Sequence, residues 1–94
     1  MSIVIVGGNC GMQHLYKDTC KKRGHRVKIY TKLPANFAKS IGTPDCVLFF
    51  TDNVSHKMLV TAKKEIKRKK LNCIHCHSCS LDALNTTLSK LETV

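Results

Sequence analysis

Leu71-Asn72-Cys73-Ile74-His75-Cys76-His77-Ser78-Cys79 places three cysteines and two histidines within seven positions, and how it is read decides the fold. It contains Cys-x-x-Cys-His at Cys73, Cys76 and His77, the spacing that attaches c-type haem. A helix or turn would bring Cys73 and Cys76 together; a strand would send them to opposite faces, because side chains alternate along it. The flanks favour the strand. A polybasic helix end, Lys67 to Lys70, precedes a short half-apolar run that leads into another helical pattern. Covalent haem is disfavoured further because that attachment follows export, and the chain opens Met1-Ser2-Ile3-Val4 without a secretion signal.

If residues 72–76 are a strand, three similar runs precede it, each followed by a helical pattern. Ser2-Ile3-Val4-Ile5-Val6 reads as a buried strand ending at Gly7-Gly8-Asn9, and the next helix carries Met12, Leu15, Thr19 and Cys20 on one face up to Gly24. Arg26-Val27-Lys28-Ile29-Tyr30 alternates like a strand near a sheet edge, and a short helix is expected from Pro34 to about Ser40. After the Gly42–Asp45 turn, Cys46-Val47-Leu48-Phe49-Phe50 is the most apolar strand and belongs inside the sheet. Ser55 then caps a helix with Leu59, Ala62 and Ile66 inward, and the last helix has Leu81, Leu84, Leu88 and Leu91 at helical spacing. Strands alternating with helices predict an α/β fold: a three-layer, Rossmann-like or flavodoxin-like, four-stranded parallel sheet with helices on both faces, in one domain spanning 1–94.

The chain has 94 residues, enough for one modest core. No run approaches the ~20 apolar residues that cross a membrane. Six cysteines accompany a hydrophobic content of 43%, so the core needs no disulfide framework, and reduced cysteines in a cytoplasmic protein are expected. The net charge of +10 favours anionic partners without choosing among nucleic acid, phosphate, carboxylate and a propionate-bearing cofactor.

Right-handed crossovers bring all strand-to-helix loops to the carboxyl edge of such a sheet, where open α/β sheets bind ligands. Gly7 to Gly11, Thr31-Lys32, Thr51 to His56 and His77 to Ser80 converge there. The opposite edge offers mainly Gly24, His25 and the Gly42 turn, so the site is expected at the carboxyl edge.

Five features together resemble the small bacterial domain-of-unknown-function family 2325: the first strand into Gly7-Gly8, Tyr16, Asp45 before the third strand, Val54-Ser55-His56 with Lys63, and Ser78 after the fourth strand. The likeness covers nearly the whole chain. Tyr30-Thr31-Lys32 stands where many relatives carry His-Asp-Gly-Gly, and His77 where many carry arginine. The resemblance implies a cofactor protein that binds haem b non-covalently, with dioxygen or another gas as the ligand to be carried or sensed.

Haem iron needs an imidazole, thiolate, thioether or phenolate at a pocket wall. His56 is the favoured ligand because a helix start holds it rigidly and Asn53 or Ser55 could orient its second nitrogen; His77, His14, Cys10 and Cys79 follow. Met12, Tyr16, Val54 and Met58 would supply apolar walls, and Lys17, Lys32 or Lys57 would meet the propionates. Gly7, Gly8, Asn9, Ser55 and Ser78 complete the expected binding set. So small a chain would share a porphyrin within a homodimer or higher homo-oligomer.

Rival readings use other residues. Cys73, Cys76 and Cys79 with His75 and His77 would make a zinc, iron–sulfur or redox-active site if they lay on a compact knuckle. On a strand, only a looser set of His56, His77, Cys10 and Cys79 could chelate. Gly7-Gly8-Asn9-Cys10-Gly11 could cradle phosphate at a helix start, although it is neither Gly-x-Gly-x-x-Gly nor a Walker loop. Lys63 to Lys70 reads as a solvated basic face; it lacks stacking aromatics and suits nonspecific nucleic-acid binding in low salt. Cys10 with His14, or Cys79 with His56, could form a nucleophile pair with Asp52 as the only orienting carboxylate. The balance favours a binding protein over an enzyme, including one with no cofactor.

Overall fold

Val47, Leu48, Phe49 and Phe50 are fully shielded from solvent, as a strand buried on both faces requires. They belong to β3, Cys46–Phe50, in a computed structural model that describes residues 1–92. The other elements are β1 (Ser2–Val6), α1 (Gln13–Lys22), β2 (Arg26–Tyr30), α2 (Phe37–Ile41), α3 (His56–Lys69), β4 (Cys73–Cys76) and α4 (Leu81–Glu92). All neighbouring strands are parallel, in the order β2-β1-β3-β4. The expected α/β architecture is therefore present, with β3 inside the sheet and β2 at one edge.

Alternation along the strands splits the core into two layers. Ile3, Ile5, Leu48, Phe50 and Cys76 pack with Tyr16 and Cys20 of α1 and Leu84 and Leu88 of α4. Val4, Val6, Val47 and Phe49 point the other way, against Phe37 and Ile41 of α2 and Met58 and Ala62 of α3. The direction in which strands are added to the sheet reverses between β1 and β3: α1 carries the chain outward to β2 on one face, and α3 carries it outward to β4 on the other. The carboxyl ends of β1 and β3 thus form the switch point of the sheet.

Two boundaries differ from expectation. The second helix begins at Phe37, because Asn36 just before it adopts a left-handed conformation (φ 57°) that asparagine tolerates, leaving Pro34 in the lead-in. Met12 lies in a short 3₁₀ turn, Cys10–Met12, capped by the Asn9 side chain, and α1 proper starts one residue later.

The amino edge carries a polar clasp unforeseen in the sequence. Buried His25 places Nε2 2.7 Å from Glu92 Oε2 and Nδ1 3.1 Å from the Met1 amino nitrogen. A neutral ring protonated on Nε2 satisfies both contacts, donating to the carboxylate and accepting from the ammonium. Arg23 Nη1 donates to the other Glu92 oxygen at 2.6 Å. The His25 hydrogen bond, then the Arg23 hydrogen bond and charge, hold the Glu92 carboxyl below the usual carboxylate range. A depressed carboxyl contributes stability that is present above its unfolded pKa and lost as pH falls through the folded value. Denaturant melts should therefore show Glu92→Gln less stable than the parent at neutral pH, with the gap closing on acidification. A gap unchanged at acid pH would refute the clasp's electrostatic role.

Candidate functional site

Gly7 and Gly8 end β1 with positive φ values of 97° and 92°. Their backbone runs so close to the next strand's loop that a Cβ on Gly7 would stand 2.7 Å from the Asn53 carbonyl oxygen. On Gly8 it would meet the Phe50 ring at 2.9 Å and the Tyr16 ring at 3.0 Å. Gly7 N–H donates to Tyr30 O and Gly8 N–H to Asn53 O, both at 2.8 Å. Asn9 N–H donates to the Tyr16 hydroxyl, Gly11 N–H to Asn9 Oδ1, and Met12 N–H to Asn9 O. The loop that could have cradled phosphate spends these donors within the chain.

Tyr16 is buried beneath this loop, its ring 5.0 Å from that of Phe50 between centroids. Its hydroxyl accepts from Asn9 N–H at 3.2 Å and donates to Cys79 O at 2.7 Å, joining the β1 and β4 loops. Burial is the main cause pushing its phenol pKa up, so Tyr16 stays a neutral donor and serves as a tie rather than a pocket wall. Asp52 Oδ2 accepts from Cys79 N–H, and Thr51 N–H donates to Cys76 O, joining the β3 and β4 loops. Asp52 is thereby engaged with backbone rather than with a histidine.

Ser55 caps α3 by accepting from Met58 N–H at 3.2 Å. Its side chain serves the helix, and Met58 is core. His56, the first residue of α3, is exposed, as are His77 and His14. These three imidazoles have no hydrogen bond or ion pair among the described residues. They spread across the carboxyl end: His14 by the β2 edge, His56 over the switch point, His77 after β4. Since β2 and β4 are three strand spacings apart, about 14 Å, His14 and His77 of one chain do not meet across the sheet.

The cysteine-rich segment is a strand, and its side chains separate as expected of one. Cys76 is buried under α1 and α4, whereas Cys73 and His75 are exposed on the other side, where His75 stacks on Phe49 with centroids 5.4 Å apart. Among the described residues no three His, Cys, Asp or Glu side chains are grouped to hold a metal ion. On α3, Arg68 and Lys69 pair with Glu65 and Lys69 also reaches Gly42 O, while Lys63, Lys64, Lys67 and Lys70 face solvent.

Two cavities lie away from His56. At the amino edge, opposite the edge where the site was expected, a cavity of about 650 Å³ opens among Met1, Asp45, Cys46, Asn72, Cys73 and Ile74. A second, of about 340 Å³, is formed where α1 crosses β2, by Gln13, His14, Lys17, Val27 and Ile29. Here an edge strand leaves Val27 and Ile29 partly uncovered, with His14 and Lys17 beside them one helical turn apart. The spacing of His14 and Lys17 was legible in the sequence; the gap over Val27 and Ile29 depends on where α1 settles on the sheet.

A family model described as "Uncharacterized protein conserved in bacteria (DUF2325)" matches residues 2–91. No curated protein and no solved structure matches the chain. Among the described residues no helix is long and apolar enough to cross a membrane.

Proposed function

The chain belongs to the DUF2325 family of bacterial proteins, and on that premise we propose that it binds haem b non-covalently, in the cleft between α1 and β2, with His14 as the iron ligand. One observation carries the reading: an unpartnered imidazole, an apolar strip and an ammonium line a single cleft. Val27 and Ile29 would lie against the porphyrin face, His14 would reach the iron, and Lys17 would pair with a propionate. The family likeness and the regular core both fit a small cofactor protein of the cytoplasm. His56 and His77, favoured on sequence, stand without a described apolar wall.

The cleft's 340 Å³ sits at the small end of ligand pockets, which run about 300–1,000 Å³, and it is open on one side. It suits one face of a porphyrin; a second copy of the chain would cover the other. Such a sandwich would bring a His14 from each chain toward the iron, and a diatomic gas would reach the ferrous centre by displacing one of the two imidazoles. The protein's part is to hold the ring, exclude water from its apolar face and fix the His14 ring.

A haemin titration followed in the Soret region checks this. Saturation is expected at one haem per two chains, with a dimer in the ultracentrifuge. His14→Ala should weaken binding by at least the roughly 10–100-fold that loss of a ligand's outer-shell partner costs, while His56→Ala and His77→Ala leave it near the parent value. Loss of the Soret band only in His56→Ala would transfer the site to the start of α3. No saturable band in the parent protein would defeat the haem reading.

A further inference from the structure

Cys76-His77-Ser78-Cys79 runs from the last residue of β4 up to Ser80, whose side chain caps α4 by accepting from Ala83 N–H. The haem reading makes no use of these residues. Cys76 is 3% exposed within the layer under α1 and α4, and Cys79 packs, half-buried, against that same layer. Cys73 faces the other side of the sheet, so of the three clustered cysteines these two share a side.

Their approach is tightly bounded. The Cys76 thiol donates to Ser78 O at 3.1 Å. A carbonyl oxygen lies about 2.8 Å from the next residue's Cα, which puts Cys76 Sγ within about 6 Å of Cys79 Cα. A disulfide spans Cα separations of about 4.4–6.8 Å, and forming one here requires the Cys76 thiol to leave Ser78 O and both side chains to turn toward each other. The loop between them is anchored where it matters: Asp52 holds the Cys79 N–H and Tyr16 holds its carbonyl. A Cys-x-x-Cys pair at a strand-to-helix junction of a βαβ fold is also the arrangement that thiol–disulfide exchange uses.

We propose that Cys76 and Cys79 form a reversible dithiol–disulfide pair that exchanges with small-thiol disulfides of the glutathione class. Both thiols are free in this structure, which is the reduced state. Cys79, the more accessible, attacks one sulfur of RSSR as thiolate; its S–S bond with RS forms as the RS–SR bond breaks, and RS⁻ leaves to take a proton as RSH. Buried Cys76 then gives up its proton to solvent and attacks the Cys79 sulfur, expelling the second RS⁻. The balance is one protein disulfide and two RSH from one dithiol and one RSSR, with two electrons passing from protein to RSSR. The exposed attacking sulfur is the second cysteine of the pair, and the first resolves it.

The test is equilibration of the apo-protein in glutathione buffers, acid quenching, thiol alkylation and intact-mass analysis. A Cys73→Ser background leaves only the two relevant cysteines on the Leu71–Lys90 tryptic peptide. The disulfide-to-dithiol ratio should change tenfold for each tenfold change in the ratio of oxidised glutathione to the square of reduced glutathione. Cys76→Ala should accumulate glutathione on Cys79, and Cys79→Ser should form neither the disulfide nor a mixed disulfide at Cys76. Two free thiols on that peptide throughout the buffer series, or a disulfide running to Cys10, would overturn the proposal. The parent measurement alone decides this if Cys76→Ala does not fold. Haem is absent from the assay, so its result is independent of the haem reading.

Discussion

Gly7→Ala should lower stability by about 3 kcal/mol or more, a large part of the roughly 5–15 kcal/mol that holds a domain folded. Two penalties coincide. The backbone is at φ 97°, where an L side chain costs roughly 1–2 kcal/mol. The new Cβ would also press on the Asn53 carbonyl oxygen at 2.7 Å and Val54 Cβ at 2.9 Å, groups fixed by the β3 loop, and such overpacking costs typically ~1–3 kcal/mol. Relief would require the β1 and β3 loops to part, breaking the hydrogen bond from Gly8 N–H to Asn53 O. For a domain of this size the midpoint of thermal unfolding should fall by on the order of 10–20 °C. Gly24→Ala is the control, because Gly24 has a similar φ of 80° but nothing within 4 Å of the added carbon. Equal melting shifts for the two variants would show that the close approach at the switch point contributes nothing.

Tyr16→Ala should cost about 3–5 kcal/mol, as removal of a buried aromatic does, and Tyr16→Phe about 1–3 kcal/mol from the hydroxyl alone. The phenylalanine variant keeps the ring against Phe50 but leaves Asn9 N–H without its acceptor and Cys79 O without its donor. Its effect should be local: faster amide exchange in the β1 and β4 loops with the core strands unchanged. The raised phenol pKa adds a pH signature with the opposite sign to that of Glu92. Stability from a neutral phenol is complete below its unfolded pKa, about 10, and is lost as pH rises through the folded value. Alkaline titration should thus destabilise the parent more than Tyr16→Phe; burial also pushes the Cys20 and Cys46 thiols up to about 11, and their ionisation weakens both proteins alike. A phenylalanine variant as stable as the parent at neutral pH would discard the tie between the loops.

Much of this architecture was readable from the chain because its strands are short, strongly apolar and separated by helix-period patterns. Cys46 to Phe50 lacks any polar alternation and lies inside the sheet, while Arg26 and Lys28 alternate with Val27 and Ile29 on the β2 edge. The opposite facing of Cys73 and Cys76 followed from the strand period alone. Side-chain employment was less legible. Tyr16, Asn9, Ser55 and Asp52 looked available for a ligand, yet each bonds to backbone, Asn9 and Ser55 within their own turn and Tyr16 and Asp52 in a neighbouring loop. The Ser55 cap is local and was expected from the sequence, and the Asn9 bond spans only two residues; the bonds of Asp52 and Tyr16 to Cys79 are instead fixed by how loops 27 and 63 residues apart meet, which no local spacing encodes. The His25–Glu92 clasp was hidden for the same reason, since its two residues lie 67 positions apart.

The reversal of strand order between β1 and β3 also sets how the molecule can assemble. β1-α1-β2 and β3-α3-β4 are each local units, closing over some two dozen residues. Their joining pairs Ile3 with Cys46 and Val6 with Phe49, across more than 40 residues and with only the five-residue α2 in between. Loop closure entropy is spent before that pairing returns any contact energy, so this central seam is the kinetically demanding event of folding. Until it closes, the apolar flank of β3 is an unguarded edge open to another chain, and the time spent in that state governs how readily the nascent protein aggregates.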